Sequence, residues 1–279
     1  MAARPVRNVR YDFTHQVVLV TGAGRGQGRA HALGFAAAGA DVVVSDRGSD
    51  NPDVPYALAS AADLEETARL VRKMGRRCLA VDCDVAAEDQ VEALVAKAVE
   101  EFSRIDVLIN NAGVISVHEV GEMSHAAWSA VLDTNLGGAF LCSKHVAPAM
   151  AAAGGGKILL TGSVESLVGL PRNTHYVAAK HGMVGLIRAL ALELAPQNIN
   201  VNIVCPGGVD TGMPAGLAAS GQEDWFEECT NLTGPWNLFD PTIMMGSEEI
   251  THAMLWLASD AAAYVTGVVL PVDAGFTIK

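Results

Sequence analysis

Seven short apolar runs alternate along the chain with segments of helical period, and that alternation limits the fold more than any other feature. The runs are Gln16–Thr21, Ala40–Asp46, Arg77–Asp82, Asp106–Ile109, Lys157–Thr161, Ile199–Val204 and Gly267–Val272. QVVLVT and ADVVVSD are apolar without polar alternation, the pattern of strands covered on both faces. Between the third and fourth runs, Val91, Leu94, Val95, Ala98, Val99 and Phe102 recur at i, i+3, i+4, i+7, i+8 and i+11. That spacing is an amphipathic helix facing a sheet. A helix between successive strands forces crossover connections. The predicted class is therefore α/β: a doubly wound, seven-stranded parallel sheet with helices on both faces.

The rhythm runs through the 279 residues without a linker, so a single domain over 1–279 is expected. Two segments interrupt it. One is a Pro-containing loop at about 48–62, after the second run. The other, at about 212–246, is punctuated by Gly, Pro and Met and holds Trp225, Phe226, Trp236 and Phe239. Long segments of this kind are usually functional or mobile. Charge excludes one class of partner: 31 Asp+Glu against 19 Lys+Arg gives a net charge of −12, the wrong sign for a nucleic-acid backbone. No apolar run approaches the ~18 residues of a membrane span. The basic start is followed by an apolar stretch too short for a signal peptide, with no small-residue cleavage site. Cys78, Cys83, Cys142, Cys205 and Cys229 are odd in number and scattered, which suits a reducing compartment and gives no metal-site spacing. A cytoplasmic protein without a metal is expected.

Thr21–Gly28 reads TGAGRGQG and lies between the first strand and the first helix. Gly22 permits a tight turn. Gly26 and Gly28 let backbone N–H groups approach a pyrophosphate at the positive helix end, with Arg25 and Gln27 between them. This is the Rossmann-like signature in its proper context. Asp46 closes the second strand, 24 residues past Gly22. A carboxylate there bonds the ribose hydroxyls of NAD and repels the 2′-phosphate of NADP. Arg25 and Arg47 are the counter-signal, since either could meet that phosphate.

Tyr176 and Lys180 stand at i and i+4, on one face of a helix. A phenol of pKa ~10 is a poor base, and a neighbouring ammonium moves it toward working pH. Ser163, 13 residues upstream, is placed to polarise a substrate oxygen shared with Tyr176. Asn135 is a candidate for holding a relay water near Lys180. With these residues in hand, the chain resembles the short-chain dehydrogenase/reductase family. The matching motifs are TGAGRGQG, Asn110-Asn111-Ala112-Gly113, Asn135, Ser163, YVAAK and Cys205-Pro206-Gly207-Gly208-Val209-Asp210-Thr211, in the family's order.

The resemblance implies further roles. Asp84 and Val85 would contact adenine. Asn111, Ala112 and Gly113 would line the cofactor, and Lys180 would also bond the nicotinamide ribose. Pro206, Gly207, Val209 and Thr211 would hold the nicotinamide. Val54-Pro55-Tyr56, Asp63–Thr67 and Tyr176–Ala195 are similar to the mycofactocin-associated, carveol-dehydrogenase-like subgroup. There the extra loop covers a tightly held cofactor that a separate redox partner recycles. CPGGVDTGM departs from the histidine- and threonine-containing version expected in that subgroup.

The expected activity is NAD-dependent interconversion of a small-molecule secondary alcohol, apolar or cyclic, and its ketone. The alternatives are an NADP-dependent ketone reductase and a non-catalytic dinucleotide sensor. His118, His125, His175 and His181 are expected to be packing or surface residues, and Glu223, Asp224, Glu227 and Glu228 a solvated helix face. Glu165 and Ser166 are candidates for the pocket mouth. Trp225, Phe226, Trp236, Phe239, Met244 and Met245 form either an apolar lid or ordinary packing. Hydrophobic residues make up 50% and charged ones 18%, with mean hydropathy +0.26. Together with helical segments at 124–153 and 174–195 that are apolar on more than one face, this predicts burial between subunits. The resemblance makes that a homotetramer.

Overall fold

Period 2 within the apolar runs sorts their side chains onto two faces, and a computed structural model shows both faces covered. It describes residues 9–279; the basic residues 1–8 lie outside the described residues. The strands are β1 (Val17–Thr21), β2 (Asp41–Asp46), β3 (Cys78–Asp82), β4 (Val107–Asn110), β5 (Gly156–Thr161), β6 (Ile199–Pro206) and β7 (Val269–Val272). They form one parallel sheet in the order β3-β2-β1-β4-β5-β6-β7. Each expected run is a strand, displaced by no more than two residues at either end.

Leu19, Val43, Leu108, Ile158 and Ile203 point to the layer of α3 (Glu88–Phe102), α5 (Gly138–Ala152) and α6 (Thr174–Leu194). Val18, Val20, Val42, Val44, Ile109 and Leu159 point to α1 (Gly26–Ala37), α2 (Ala61–Lys73) and α9 (Ser247–Ala258). The helix expected from Val91 to Phe102 is α3, which buries Val91, Leu94, Val95, Ala98 and Phe102. Strand order reverses between β1 and β4, which opens a crevice at the carboxyl ends of the sheet.

A third apolar cluster sits above those ends. It joins Val54, Val114, Ile115, Val131, Tyr176, Leu217, Trp225 and Phe276. The segment leading into α2 crosses the crevice as a strap: Leu58 N–H donates to Asp50 Oδ1 at 2.7 Å, and Arg25 donates to Ala57 O. It ends in a capping box. Ser60 Oγ accepts the Asp63 N–H at 3.2 Å and Asp63 Oδ2 accepts the Ser60 N–H at 2.9 Å. The second interruption is not one loop. It contains α7 (Gly212–Ala219) and α8 (Glu223–Thr233), and only the stretch after them is irregular. The Gly and Pro residues concealed α7, because Gly212 and Pro214 stand in its first turn, where neither breaks a helix. Among the described residues, no helix is long and apolar enough to cross a membrane.

Helices α1 and α9 pack closely, since a Cβ on Gly34 would lie 2.4 Å from Thr251 Cγ2. Beside that contact His31 is fully buried, with Nδ1 2.8 Å from Thr251 Oγ1. Burial holds its imidazole down to about 3. As pH falls, the unfolded chain, with a histidine pKa of ~6.5, takes up this proton first. The stability it carries is complete above that value and is lost between pH 6.5 and 3. The loss is ~1.4 kcal/mol per pH unit, or about 2 kcal/mol at pH 5. Urea unfolding of the wild type and His31→Gln at pH 7 and pH 5 should show that extra loss in the wild type alone. Parallel pH dependence in the two proteins would remove His31 as its source.

Candidate active site

The glycine turn after β1 is held by β4. Gly22 and Gly26 take left-handed φ values of +64° and +56°. A Cβ on Gly22 would lie 2.7 Å from Ala112 Cα, and one on Gly28 would lie 2.1 Å from Gly22 O. Asn111 Nδ2 donates to Thr21 O and Gly22 O, each at 3.1 Å. The side chain of Asn111 thus fixes the turn as well as facing the crevice.

An open cleft extends across the strand ends from this turn. Gly22, Arg25, Gly26 and Gln27 line it at β1, and Asp46, Arg47, Asp84 and Val85 line it at the ends of β2 and β3. Asn111, Ala112 and Gly113 follow at β4, then Tyr176, Lys180 and Thr211. Gly28 stands behind the turn, packed on Gly22. Pro206, Gly207 and Val209 line an adjoining chamber with Ser163 and Tyr176. Tyr176, Gln27, Thr211, Met213 and Gly162 border both spaces.

Asp46 accepts the Gly24 N–H at Oδ2 and the Arg47 N–H at Oδ1, both at 2.8 Å. Burial is the main influence on its carboxyl and pushes it above the usual range, against those two bonds. Arg47 pairs with Asp84 at 3.2 Å. Arg25 reaches the strap at Ala57 and packs under Gly212. Both arginines therefore have partners within the protein.

Tyr176 and Lys180 share one face of α6, with Lys180 Nζ 5.4 Å from the Tyr176 ring centre. Both are buried. Lys180 Nζ donates to Thr161 O at 2.7 Å. Burial lowers its ammonium to about 8. Burial also drives the Tyr176 phenol upward, the nearby Glu165 carboxyl adds to this, and a hydrogen bond with Ser163 opposes both. Asn135 lies in a π-helical turn, Asp133–Gly137. Its Oδ1 accepts the Val114 N–H at 2.8 Å and its Nδ2 donates to Val114 O at 2.9 Å. The amide thus clamps the segment that follows β4.

A family model described as enoyl-(acyl carrier protein) reductase matches residues 22–277. (−)-trans-Carveol dehydrogenase of Rhodococcus erythropolis is 38% identical over 283 residues, covering 95% of this chain and 98% of that protein. cis-4-Hydroxycyclohexanecarboxylate dehydrogenase of Sinomonas cyclohexanicum is 38% identical over 268 residues, covering 95% and 98%. A short chain dehydrogenase from Mycobacterium paratuberculosis, solved bound to NAD, has a TM-score of 0.90 at 36% identity, covering 96% of this chain and all of that one. The chain belongs to the short-chain dehydrogenase/reductase family. It is an oxidoreductase of the carveol-dehydrogenase-like kind.

Around the family's constellation, His175 is the packing residue expected, whereas His118 and the acidic face of α8 differ from expectation. His175 is buried, with Nδ1 accepting the Tyr176 N–H at 2.9 Å. Its Nε2 lies 2.8 Å from Ser116 Oγ, which is 3.0 Å from His118 Nε2. His118 is therefore half-buried in a polar chain that holds the start of α6, rather than a surface residue. The acidic face of α8 is not simply solvated either. Arg172 binds Asp224 at 2.8 Å, Glu228 at 3.4 Å and Glu119 at 3.5 Å. Trp225, Phe226, Trp236 and Met244 line the inner chamber, whereas Phe239 is 86% exposed and Met245 packs into the layer of α1 and α9. Trp236 stacks on Phe276 at 4.9 Å.

Tyr56, Leu58 and Asn51 of the strap also line the cleft; the Val54-Pro55-Tyr56 resemblance pointed to this loop, but Asn51 and Leu58 carry no motif of their own. Tyr56 Oη accepts the Ile115 N–H at 3.2 Å, and its ring abuts Gly216 of α7. The turn itself gives a direct test. Gly28→Ala places a methyl against the Gly22 carbonyl, an overpacking of about 1–3 kcal/mol. Titration with NAD should show affinity lower by roughly tenfold or more. Unchanged affinity would mean that the Gly22–Gly28 contact does not shape the cradle.

Proposed function

We propose that the protein is an NAD-dependent dehydrogenase interconverting a secondary alcohol, apolar or cyclic, and its ketone. The observation that carries this reading is the position of Tyr176. It borders both the cleft and the inner chamber, lines that chamber together with Ser163, and has Lys180 against its ring.

The cleft fits a dinucleotide. Its turn tolerates no Cβ at Gly22, its far end carries the Asp46 carboxyl, and a buried Gln27 Oε1 with no partner among the described residues stands where the two spaces meet. When bound, the nicotinamide supplies the hydride acceptor or donor. Gly22, Arg25, Gly26, Gln27, Asp46, Arg47, Asp84 and Val85 would hold the pyrophosphate and adenosine portion. Asn111, Ala112, Gly113, Pro206, Gly207, Val209 and Thr211 would hold the nicotinamide half. Asp46 disfavours a 2′-phosphate, and the Arg47–Asp84 pair weakens the case for NADP.

Ser163 orients the substrate oxygen. Tyr176 removes its proton in oxidation and returns it in reduction. Lys180, as an ammonium below about pH 8, stabilises the phenolate that burial disfavours. Oxidation, which needs phenolate, should therefore rise with pH, and reduction should fall. Asn135 positions the Val114 segment beside the nicotinamide half. The aromatic chamber favours an apolar ring, and the names of two relatives, carveol and hydroxycyclohexanecarboxylate dehydrogenases, point to cyclic alcohols. The strap over the cleft supports a tightly held cofactor recycled by a separate, mycofactocin-type redox partner.

Tyr176→Phe should leave NAD affinity near normal and lower kcat/KM by about 10²–10⁴-fold. The assay uses cyclic alcohols with NAD, with NADP and with an artificial electron acceptor. Retained turnover in the variant overturns the assignment. Activity restricted to the acceptor supports the covered cofactor, and rapid exchange of free NAD counts against it.

The exposed Trp128, Phe140 and Leu192 lie on α4 (His125–Leu132), α5 and α6. These are the helices on which the proposed tetramer would assemble. Light scattering should give about four times the 29.1 kDa chain mass. A stable monomer refutes the assembly.

A further inference from the structure

We propose that Glu165 is a second substrate-binding group, whose carboxyl holds a second ring oxygen of the substrate, hydroxyl or carbonyl, while Ser163 and Tyr176 hold the reacting one. This rests on the dehydrogenase reading above and narrows its substrate to an oxygenated ring.

Glu165 stands in the short turn Val164–Ser166, two residues after Ser163, and is 3% exposed. Proton transfer through Tyr176 does not use it. A carboxyl at this depth is costly unless it is bonded. Among the described residues its one side-chain hydrogen-bond partner is Asn173, whose Nδ2 donates to Oε2. Among the described residues Asn173 Oδ1 is itself buried without a partner, so the pair is not a closed network there. Lys180, the nearby cation, directs its Nζ to Thr161 O instead.

Glu165 borders the inner chamber, and among the described lining residues it is the only carboxyl there. Its charge acts on Tyr176 on one side and on Cys229 of α8 on the other. A molecule with its reacting oxygen at Ser163 and Tyr176, and its body against Trp225 and Phe226 of α8, passes this carboxyl. With Oε2 bonded to Asn173, Oε1 is available to a substrate oxygen: it accepts from a hydroxyl when ionised and donates to a carbonyl when protonated. A chamber built for a plain hydrocarbon ring would gain nothing from such a group. A site built to bond a second oxygen discriminates strongly against analogues that lack it.

The test compares cyclohexanol with the 1,2-, 1,3- and 1,4-cyclohexanediols in the wild type, Glu165→Leu and Glu165→Gln. The wild type should favour one diol over cyclohexanol by at least about tenfold in kcat/KM. Glu165→Leu should bring that ratio near unity through the KM of the diol, and Glu165→Gln should retain part of it. A wild type without diol preference, or a preference that survives Glu165→Leu, overturns the proposal. Quenching of tryptophan fluorescence from Trp225 and Trp236 reads binding of the same ligands separately from turnover. If no alcohol is oxidised with NAD or an artificial acceptor, the dehydrogenase reading fails. A diol-over-cyclohexanol binding ratio that Glu165→Leu abolishes would still support the subsite, and equal binding in the wild type would sink it.

Discussion

A row of hydrogen bonds across the carboxyl ends of β1, β4 and β5 sets the distances on which the rest of the site depends. Thr21 Oγ1 accepts the N–H groups of Asn111 and Ala112, each at 3.1 Å. Asn111 Nδ2 returns to Thr21 O and Gly22 O, and Thr161 Oγ1 donates to Asn111 Oδ1 at 3.3 Å. Thr161 O then takes the ammonium of Lys180. The row couples the glycine turn to α6 through backbone and short side chains. Three strand ends, rigid in the sheet, therefore place Tyr176 relative to the cradle. A site on mobile loops would not hold that spacing.

The electrostatics depend on where this row ends. Tyr176, Lys180 and Glu165 are all buried within one region, so desolvation dominates each of them. It raises the two acids, Glu165 to about 8, and lowers the ammonium. These shifts keep Glu165 and Tyr176 protonated near pH 7 and leave Lys180 an ammonium that gives up its proton far more readily than an exposed lysine. The apolar covering that produces this comes from two chain segments far apart in sequence. Val54 and Tyr56 come from the strap; Leu217 comes from α7, Trp225 from α8 and Trp236 from the irregular stretch beyond it.

Much of this was legible because it is local. Consecutive aliphatics such as Val42–Val44 between turn signals fit a doubly covered strand, and the i, i+3, i+4 series from Val91 fits a one-faced helix. The TGAGRGQG turn and the Tyr176–Lys180 spacing are likewise complete within a few residues. The features that sequence pattern misses depend on partners from other segments. His175 and His118 gain their roles from Ser116, which no periodicity connects to them. Asp224 and Glu228 became paired when Arg172, at a left-handed φ of +63°, was brought against α8. Helix α7 was concealed by composition, since its Gly216 serves contact with Tyr56 rather than a turn.

Residue order along the chain was enough to specify the layered α/β architecture, the glycine cradle, the acidic end of β2 and the Ser163, Tyr176 and Lys180 set. Each is written in local spacing, within an element or between neighbours in the chain, where side-chain direction follows from backbone period. It took the folded chain to show that Asn135 clamps Val114, that Asn111 locks the turn, that the strap meets α7 across the cleft, and that Glu165 lies buried beside the chamber. Those outcomes depend on which element ends meet in space. That is fixed by packing two helical layers on one twisted sheet, and it is not encoded at any single position.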